Sequence, residues 1–305
     1  MRLSYVTTLM LSAALLGVTG FAQQASTGPS NATSVLYNTA KQKLLDHKQV
    51  FSFTQTKFDI AGYCEAAKHY DYAWFEMQHS TLEFKDVEAM IAACPHAGAT
   101  PMIRLPDAQE WHIQHATDIG ALGVIIPTVD DVERAREAAK WSRYPPVARR
   151  SSGQGQARNI WGTSAANYAK TFNDNMLVVI MIETPTGVAN AYDIASVAGV
   201  DVVIIGNNDL SVFSGFPQND DRYQAMVKKI HDDTVRAGKI FGQANAIYAK
   251  GHPLSSDSFF FQNGPSNDRW KPAGTAGQNV NAPPPGEEDK PEAAAPKAPG
   301  TSKLK

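Results

Sequence analysis

The 305-residue chain is predicted to fold as an α/β protein of the (β/α)₈ TIM-barrel type. About eight short apolar segments alternate with segments whose apolar residues recur at helical spacing. Residues 35–270, which carry this alternation, have the length of one barrel domain. There is no antiparallel hairpin signature, and the glycine-rich fingerprint of a doubly wound sheet, the alternative architecture, is also absent.

The first four predicted strands are separated by recognisable helices. "VFSFTQ" precedes a helix near residues 60–69, and "YAWFEM" precedes a helix with an apolar face. "TPMIRL" and "GVIIPT" flank a helix near residues 110–119. The charged amphipathic segment "VDDVERAREAAKWS" then forms the next helix.

The second half of the barrel begins after an irregular stretch, "RYPPVARRSSGQGQARNIWG", and a helix near residues 164–172. The strand "MLVVIMI" is apolar throughout and is closed by Pro185, which indicates a strand buried on both faces. The helix "GVANAYDIASVA", the strand "DVVIIG" and the loop "NNDLSVFSGFPQND" follow. A helix over residues 222–237 and the strands "KIFGQA" and "SFFFQN" complete the barrel.

The two ends of the chain differ from the middle. Residues 1–22 combine an early arginine, a short apolar segment and a small-residue site, which is typical of a secretory signal peptide; a mature N-terminal helix is the alternative. Residues 23–34 are predicted to form an exposed leader. Residues 271–305, rich in Pro, Ala, Gly and charge, are predicted to be a disordered tail. We therefore expect a periplasmic or secreted protein.

Composition excludes some partners. The net charge is -2 and there is no basic stripe, so no nucleic-acid partner is expected. No later segment is long and apolar enough to span a membrane. Cys64 and Cys94 lie on the first two predicted helices, where export would permit a disulfide; two buried thiols are the alternative.

Polar side chains follow several of the predicted strands. Glu76, His79, Arg104, Glu183 and Asp209 each lie at or just after the end of a strand. Because all eight strands of such a barrel are parallel, these residues should converge on its carboxyl-terminal face.

Glu183 and Asp209 form the candidate metal pair. Two carboxylates without a nearby Cys or His cluster suit a hard cation such as Mg²⁺ or Mn²⁺. A surface charge at Glu183 and a helix N-cap at Asp209 are the alternatives. Gly206 and Asn208, in "IIGNNDLS", favour a substrate-binding turn because glycine permits close backbone approach.

Arg104 and His79 are the candidates for binding and proton transfer. A guanidinium group suits the bidentate capture of a substrate carboxylate, although a structural ion pair is an equal alternative. An imidazole titrates near neutral pH and so suits acid–base catalysis, although a lone histidine is more often structural.

The residues from about 59 to 242 resemble the HpcH/HpaI aldolase/citrate lyase family of metal-dependent class II pyruvate aldolases. The resemblance rests on "AWFEMQHS", "PMIRLP", "IPTVDDVERAREA", "IETPTGVA" and "GVDVVIIGNNDLS", in this order. It implies cleavage of a 4-hydroxy-2-oxo acid into pyruvate and an aldehyde through a metal-bound enolate. It also implies a homo-oligomer in which a neighbouring chain closes the pocket.

The resemblance assigns roles to five residues. Glu183 and Asp209 fall on the two metal-binding carboxylates, and Arg104 falls on the arginine that holds the keto-acid carboxylate. His79 falls on the histidine that acts as acid and base through a metal-bound water. Asp118 falls on the aspartate that orients this histidine, and its role depends on the resemblance alone.

Two positions depart from the family pattern. Gln78 replaces a common acidic residue just before the histidine, and Met181 replaces a common glutamine two residues before the metal glutamate. These changes, together with the predicted export, leave open a second hypothesis: an exported protein that binds a metal and a keto acid without turnover.

Overall fold

The structure, a computed structural model, describes residues 36–153, 155–162, 168–244 and 253–268. The predicted signal peptide, leader and tail lie outside these ranges. No helix within them is long and apolar enough to cross a bilayer.

Eight parallel strands close into a barrel in chain order, with the last strand paired to the first. This confirms the predicted (β/α)₈ fold, and each strand falls in a segment from which one was predicted. The strands are β1 Val50–Gln55, β2 Tyr72–Glu76, β3 Thr100–Arg104, β4 Gly123–Ile126, β5 Leu177–Ile182, β6 Val202–Ile205, β7 Ile240–Gln243 and β8 Phe260–Phe261.

Helices surround the barrel and precede it. Those described are α1 Thr39–Leu45, α2 Ile60–Ala66, α3 Phe84–Ala93, α4 Glu110–Asp118, α5 Val132–Ser142, α6 Gly155–Trp161, α7 Tyr168–Asn175, α8 Pro185–Ala189, α9 Ala191–Ala195, α10 Asn207–Ser214 and α11 Asp221–Arg236.

Two of these helices occupy segments for which irregular structure was predicted. Helix α6 forms in a Gly- and Ser-rich stretch because Trp161 is buried, stacks on Tyr37 and donates its indole N–H to the carbonyl of Gly120 at 2.8 Å. Helix α10 buries Leu210 and ends at Gly215, whose φ of 73° provides a left-handed C-cap. Tertiary packing therefore overrode weak local helix propensity.

The barrel interior is filled by alternate strand residues, because successive side chains of a strand point to opposite faces. Residues on the other strand face, such as Phe75 and Ile103, pack against the surrounding helices. Ala40 and Leu44 of α1 join the interior cluster. This cluster also contains Val50, Tyr72, Trp74, Met102, Ile125, Leu177, Val179, Met181, Val202, Ile204 and Phe260.

Cys64 of α2 and Cys94, at the end of α3, form a disulfide. Of the two alternatives open from the sequence, the structure thus has the cross-link. The bridge spans a sequence separation of 30 residues. In the chain-entropy model, closing a loop of this length stabilises the folded state by roughly 3–4 kcal/mol.

Candidate active site

A ring of charged side chains lies at the carboxyl-terminal ends of the strands. Glu76 ends β2, Arg104 ends β3 and Glu183 directly follows β5. Glu76, Arg104 and Glu183 are buried, with 3%, 9% and 1% of their surfaces exposed. The interior of the barrel contains Trp74, Met102 and Met181. Each of the three charged residues follows one of these by two positions and therefore also points inward.

Local sequence explains why β5 ends where it does. Thr184 adopts extended geometry and its hydroxyl accepts a hydrogen bond from the backbone N–H of Gly187 at 3.0 Å, which caps helix α8. Pro185 occupies the first turn of that helix, where its missing N–H has no cost. The chain therefore turns directly after Glu183, which remains at the tip of the strand.

Glu76 is the most extensively hydrogen-bonded member of the ring. Its Oε2 accepts from the indole N–H of Trp74 at 3.0 Å and from Nε of Arg104 at 2.6 Å, and also pairs with Nη2 of Arg104. Its Oε1 accepts from the backbone N–H groups of Gln78 and His79, at 2.9 and 3.0 Å. One carboxylate therefore fixes both the arginine and the start of the loop that carries the histidine.

Arg104 is engaged along only one edge of its guanidinium group. Nε and Nη2 face Glu76, whereas Nη1 lies 3.8 Å from the sulfur of Met181, a weak acceptor. The guanidinium carbon lies 5.5 Å from the centre of the Trp74 ring. Arg104 thus forms the structural ion pair that was one alternative, and it retains one nitrogen that an anionic ligand can reach.

Glu183 is hydrogen-bonded through only one of its two oxygens. Its Oε1 accepts from the backbone N–H and the hydroxyl of Thr128, at 2.7 and 2.8 Å. Its Oε2 is buried and has no hydrogen-bond partner in the described part of the chain. Burial raises the pKa of Glu183, and the charge of Asp209 raises it further, while Thr128 and Arg104 act in the opposite direction.

The β6 turn brings Asp209 and Gly206 to Glu183. Asp209 lies in the first turn of α10 and is partly exposed. Gly206 precedes that helix, and a Cβ atom there would lie 2.0 Å from Oε2 of Glu183, so a larger residue would displace the Glu183 side chain. Asn208, also predicted to contact substrate, is exposed and its side chain bonds to Gln218 instead of to the charged ring.

The donor set at Glu183 and Asp209 fits a hard divalent cation. An unpartnered carboxylate oxygen beside a second carboxylate provides the oxygen ligands that Mg²⁺ and Mn²⁺ prefer. Among the described residues, no group of three or more His, Cys, Asp and Glu side chains could hold a metal ion. A cation at this pair would therefore take its remaining ligands from water and substrate.

His79 and Asp118 do not meet within one chain. His79 is exposed, and its ring forms no hydrogen bond with any described residue. Asp118 is the last residue of α4, which runs from the carboxyl end of β3 back to the amino end of β4, and its carboxylate pairs with Arg150. The role that the resemblance implies for Asp118 therefore has no support from contacts within the subunit.

Two residues of the site were not recognised from the sequence. Thr128 lies just beyond β4 and holds Glu183, so the rule that strand ends carry polar site residues applies to it as well. Trp74 lies in the middle of an apolar strand, but a buried indole N–H needs an acceptor, and Glu76 lies two residues away.

A second concave feature lies outside the barrel. It is a groove of about 830 Å³ between α5 and α9, lined mainly by small apolar residues with Arg136, Lys140, Arg143 and Asp193. It contains none of the strand-end residues. The barrel mouth is the better candidate despite the size of this groove, because it places the buried charges of Glu76, Arg104 and Glu183 together and leaves Oε2 of Glu183 without a partner among the described residues.

Comparison with known sequences points to one family. Residues 56–249 match the family model for HpcH/HpaI aldolase/citrate lyase. A hydroxypyruvate/pyruvate aldolase of Roseovarius nubinhibens is 32% identical over 184 residues, which are 60% of this chain and 71% of that protein. A 2-keto-3-deoxy-L-rhamnonate aldolase of Klebsiella pneumoniae is 32% identical over 185 residues, 60% of this chain and 68% of that protein.

Solved structures agree with the barrel assignment. An HpcH/HpaI aldolase from Desulfitobacterium hafniense superposes with a TM-score of 0.66 at 26% identity, covering 73% of this chain and 89% of its own. A family protein from Burkholderia cenocepacia gives a TM-score of 0.67 at 22% identity, covering 74% and 92%, which supports the fold alone.

Proposed function

Because the chain belongs to the HpcH/HpaI aldolase/citrate lyase family, we propose that it is a metal-dependent carbon–carbon lyase acting on 2-oxo acids. The proposed reaction cleaves a 4-hydroxy-2-oxo acid into pyruvate and an aldehyde. The observation that carries this proposal is the pair of open positions at the barrel mouth. Among the described residues, one nitrogen of Arg104 has no oxygen partner, and one oxygen of Glu183, which senses the charge of Asp209, has no donor.

Glu183 and Asp209 are the residues that would hold Mg²⁺ or Mn²⁺. When bound, such a cation neutralises the negative charge that develops on the 2-oxo group during cleavage. Thr128 fixes one oxygen of Glu183, so the other oxygen remains directed toward the site.

Arg104 and His79 would act on the substrate itself. Arg104 binds the substrate carboxylate through Nη1, while Glu76 prevents the guanidinium group from rotating. His79 accepts the proton of the 4-hydroxyl group as the C3–C4 bond breaks, and the aldehyde carbonyl forms. The electron pair of that bond passes to the 2-oxo group as the enolate, and a proton added at C3 gives pyruvate.

A second candidate function is an exported protein that binds a metal and a keto acid without turnover. The observation that favours it is the environment of His79. The imidazole ring of His79 has no orienting partner among the described residues. The aspartate that the resemblance assigns to this role, Asp118, pairs with Arg150 instead. A histidine without such a partner is a poor acid–base catalyst, because its tautomer and orientation are not fixed.

Solvent deuterium exchange into the methyl group of pyruvate separates the two functions. The exchange is followed by NMR with Mg²⁺ or Mn²⁺ and no aldehyde. A lyase would catalyse metal-dependent exchange that is lost in His79→Ala and Arg104→Ala and retained in His115→Ala, a matched exposed histidine on α4. Binding of metal and pyruvate without exchange would instead support the binding protein.

We also propose that the protein is exported, and the disulfide between Cys64 and Cys94 supports an oxidising compartment. N-terminal sequencing of protein from a periplasmic fraction should begin near Gln23, whereas a full-length cytoplasmic product would refute export. Homo-oligomerisation remains a proposal from the family. Light scattering at micromolar concentration tests it, and a monomer would contradict it.

A further inference from the structure

A layer of apolar side chains lies directly below the charged ring. The layer consists of Trp74, Met102, Met181 and Ile204. Each of these residues lies two positions before an inward-facing residue at the end of its strand. All four are buried, with at most 2% of their surface exposed. Their one hydrogen-bond donor is the indole N–H of Trp74, which Glu76 already accepts. These four side chains, which we call the floor of the site, thus offer no free polar group to a ligand.

Met181 is the part of this floor that a bound acid would touch. Its sulfur lies 3.8 Å from Nη1 of Arg104, the only nitrogen of that guanidinium group that Glu76 does not engage. Glu183 lies two residues further along the same face of the chain, about 7 Å away at strand spacing. An oxo acid held between Arg104 and Glu183 therefore lies across Met181.

We propose that Met181 selects the oxo acid by the polarity of its third carbon. Pyruvate and 2-oxobutanoate would bind, whereas 2-oxo acids with a hydroxyl group on that carbon, such as hydroxypyruvate, would be disfavoured. This inference rests on the proposed function and adds which 2-oxo acid forms the enolate.

The physical reason is desolvation. A hydroxyl group that leaves water for contact with a thioether exchanges good hydrogen bonds for weak ones. An unsatisfied buried hydroxyl weakens binding by about 10-fold to 100-fold. A methyl or ethyl group has no such cost, and the flexible, polarisable methionine side chain adapts to either one.

Isothermal titration calorimetry with pyruvate, 2-oxobutanoate and hydroxypyruvate tests the proposal in the presence of saturating Mn²⁺. The binding of Mn²⁺ is measured first and separately. Wild-type protein should bind hydroxypyruvate at least about 10-fold more weakly than pyruvate. Met181→Gln places an amide of similar length at the floor and should reduce this ratio to below about 3-fold. Met181→Leu remains apolar and should keep the wild-type ratio.

The outcomes distinguish this inference from the function on which it rests. If wild-type protein binds hydroxypyruvate as tightly as pyruvate, the selectivity proposal is wrong while the lyase proposal stands. An unchanged ratio in Met181→Gln, shown to be folded by circular dichroism, would also overturn the role of Met181. If Mn²⁺ binds but none of the three acids does, both proposals fail.

Discussion

Glu76 and Glu183 are buried glutamates at the ends of two strands, β2 and β5, of the same barrel mouth, but their surroundings differ. Both oxygens of Glu76 are hydrogen-bonded, and five donor groups from Trp74, Gln78, His79 and Arg104 contact it. Glu183 receives two donors from Thr128 on one oxygen and none from described residues on the other.

The difference separates a structural carboxylate from one that can take a ligand. Glu76 has no remaining position for a cation, and the positive charge of Arg104 already balances it. Burial raises the pKa of Glu183, and the negative charge of Asp209 raises this pKa further. A cation at Glu183 would provide the missing partner and remove the energetic cost of a buried unpaired oxygen.

Glu76→Gln should have the largest effect on stability. The substitution leaves the buried guanidinium group of Arg104 without a countercharge, and breaking a buried ion pair typically costs 3–5 kcal/mol, so we expect a loss of roughly 3 kcal/mol. Urea denaturation measures it. Glu65→Gln, which removes an exposed carboxylate, is the matched control and should leave the urea midpoint almost unchanged, because exposed ion pairs contribute little to stability.

The double variant Glu76→Gln with Arg104→Met sharpens this prediction. Because it removes both charges of the pair, it should recover part of the lost stability. Additive losses from the two substitutions would show that the ion pair is not the source of the effect.

Glu183→Gln should weaken Mn²⁺ binding by about 100-fold or more, since a neutral amide replaces a charged ligand of a hard cation. Calorimetry on freshly chelated protein measures this affinity. Glu76→Gln alters a carboxylate whose two oxygens already accept hydrogen bonds. This variant should retain Mn²⁺ affinity within a few-fold in the folded fraction. Equal losses in the two variants would remove the distinction between these glutamates.

Thr128→Val should have a smaller effect on the same site. It removes the hydroxyl donor to Glu183 but keeps the backbone N–H donor and the side-chain shape. Loss of an outer hydrogen bond to a ligand typically reduces metal affinity by about 10-fold. Thr128→Ser retains the hydroxyl and should bind Mn²⁺ like the wild type; similar weakening in both would point to backbone strain at the φ of 49°.

Most of the fold was predictable because the strands are strongly apolar and regularly spaced. Each of the eight strands lies in a segment for which one was predicted, and the end of β5 at Glu183 follows from the Thr-Pro pair after it. Helix α6 could not be predicted from local sequence, because its stability comes from Trp161 packing against residues distant in the chain.

The sequence predicted which strand-end residues belong to the candidate site, but it did not predict which of their side chains contact each other. Alternation along β2 and β3 places Glu76 and Arg104 inward, and only the register of the two strands sets them opposite each other. The contact of Arg104 with Met181 depends on strands that are not neighbours in the sheet. Periodicity carries no information about Asp118, whose partner Arg150 lies in an irregular segment.

The smallest expected effect concerns the stability of the metal-free protein. Burial, and then Asp209, raise the pKa of Glu183, so at neutral pH the ionised side chain destabilises the folded state relative to the unfolded state. As the pH falls through the raised pKa and then below the ordinary value of the unfolded chain, Glu183 becomes protonated in both states and this penalty disappears. Glu183→Gln should therefore raise the Tm of the chelated protein by a few degrees at pH 7, and this gain should vanish near pH 4. Thermal unfolding followed by circular dichroism at both pH values measures the difference. A gain of the same size at pH 4 would mean that side-chain packing, and not the buried charge, separates Glu183 from Glu76.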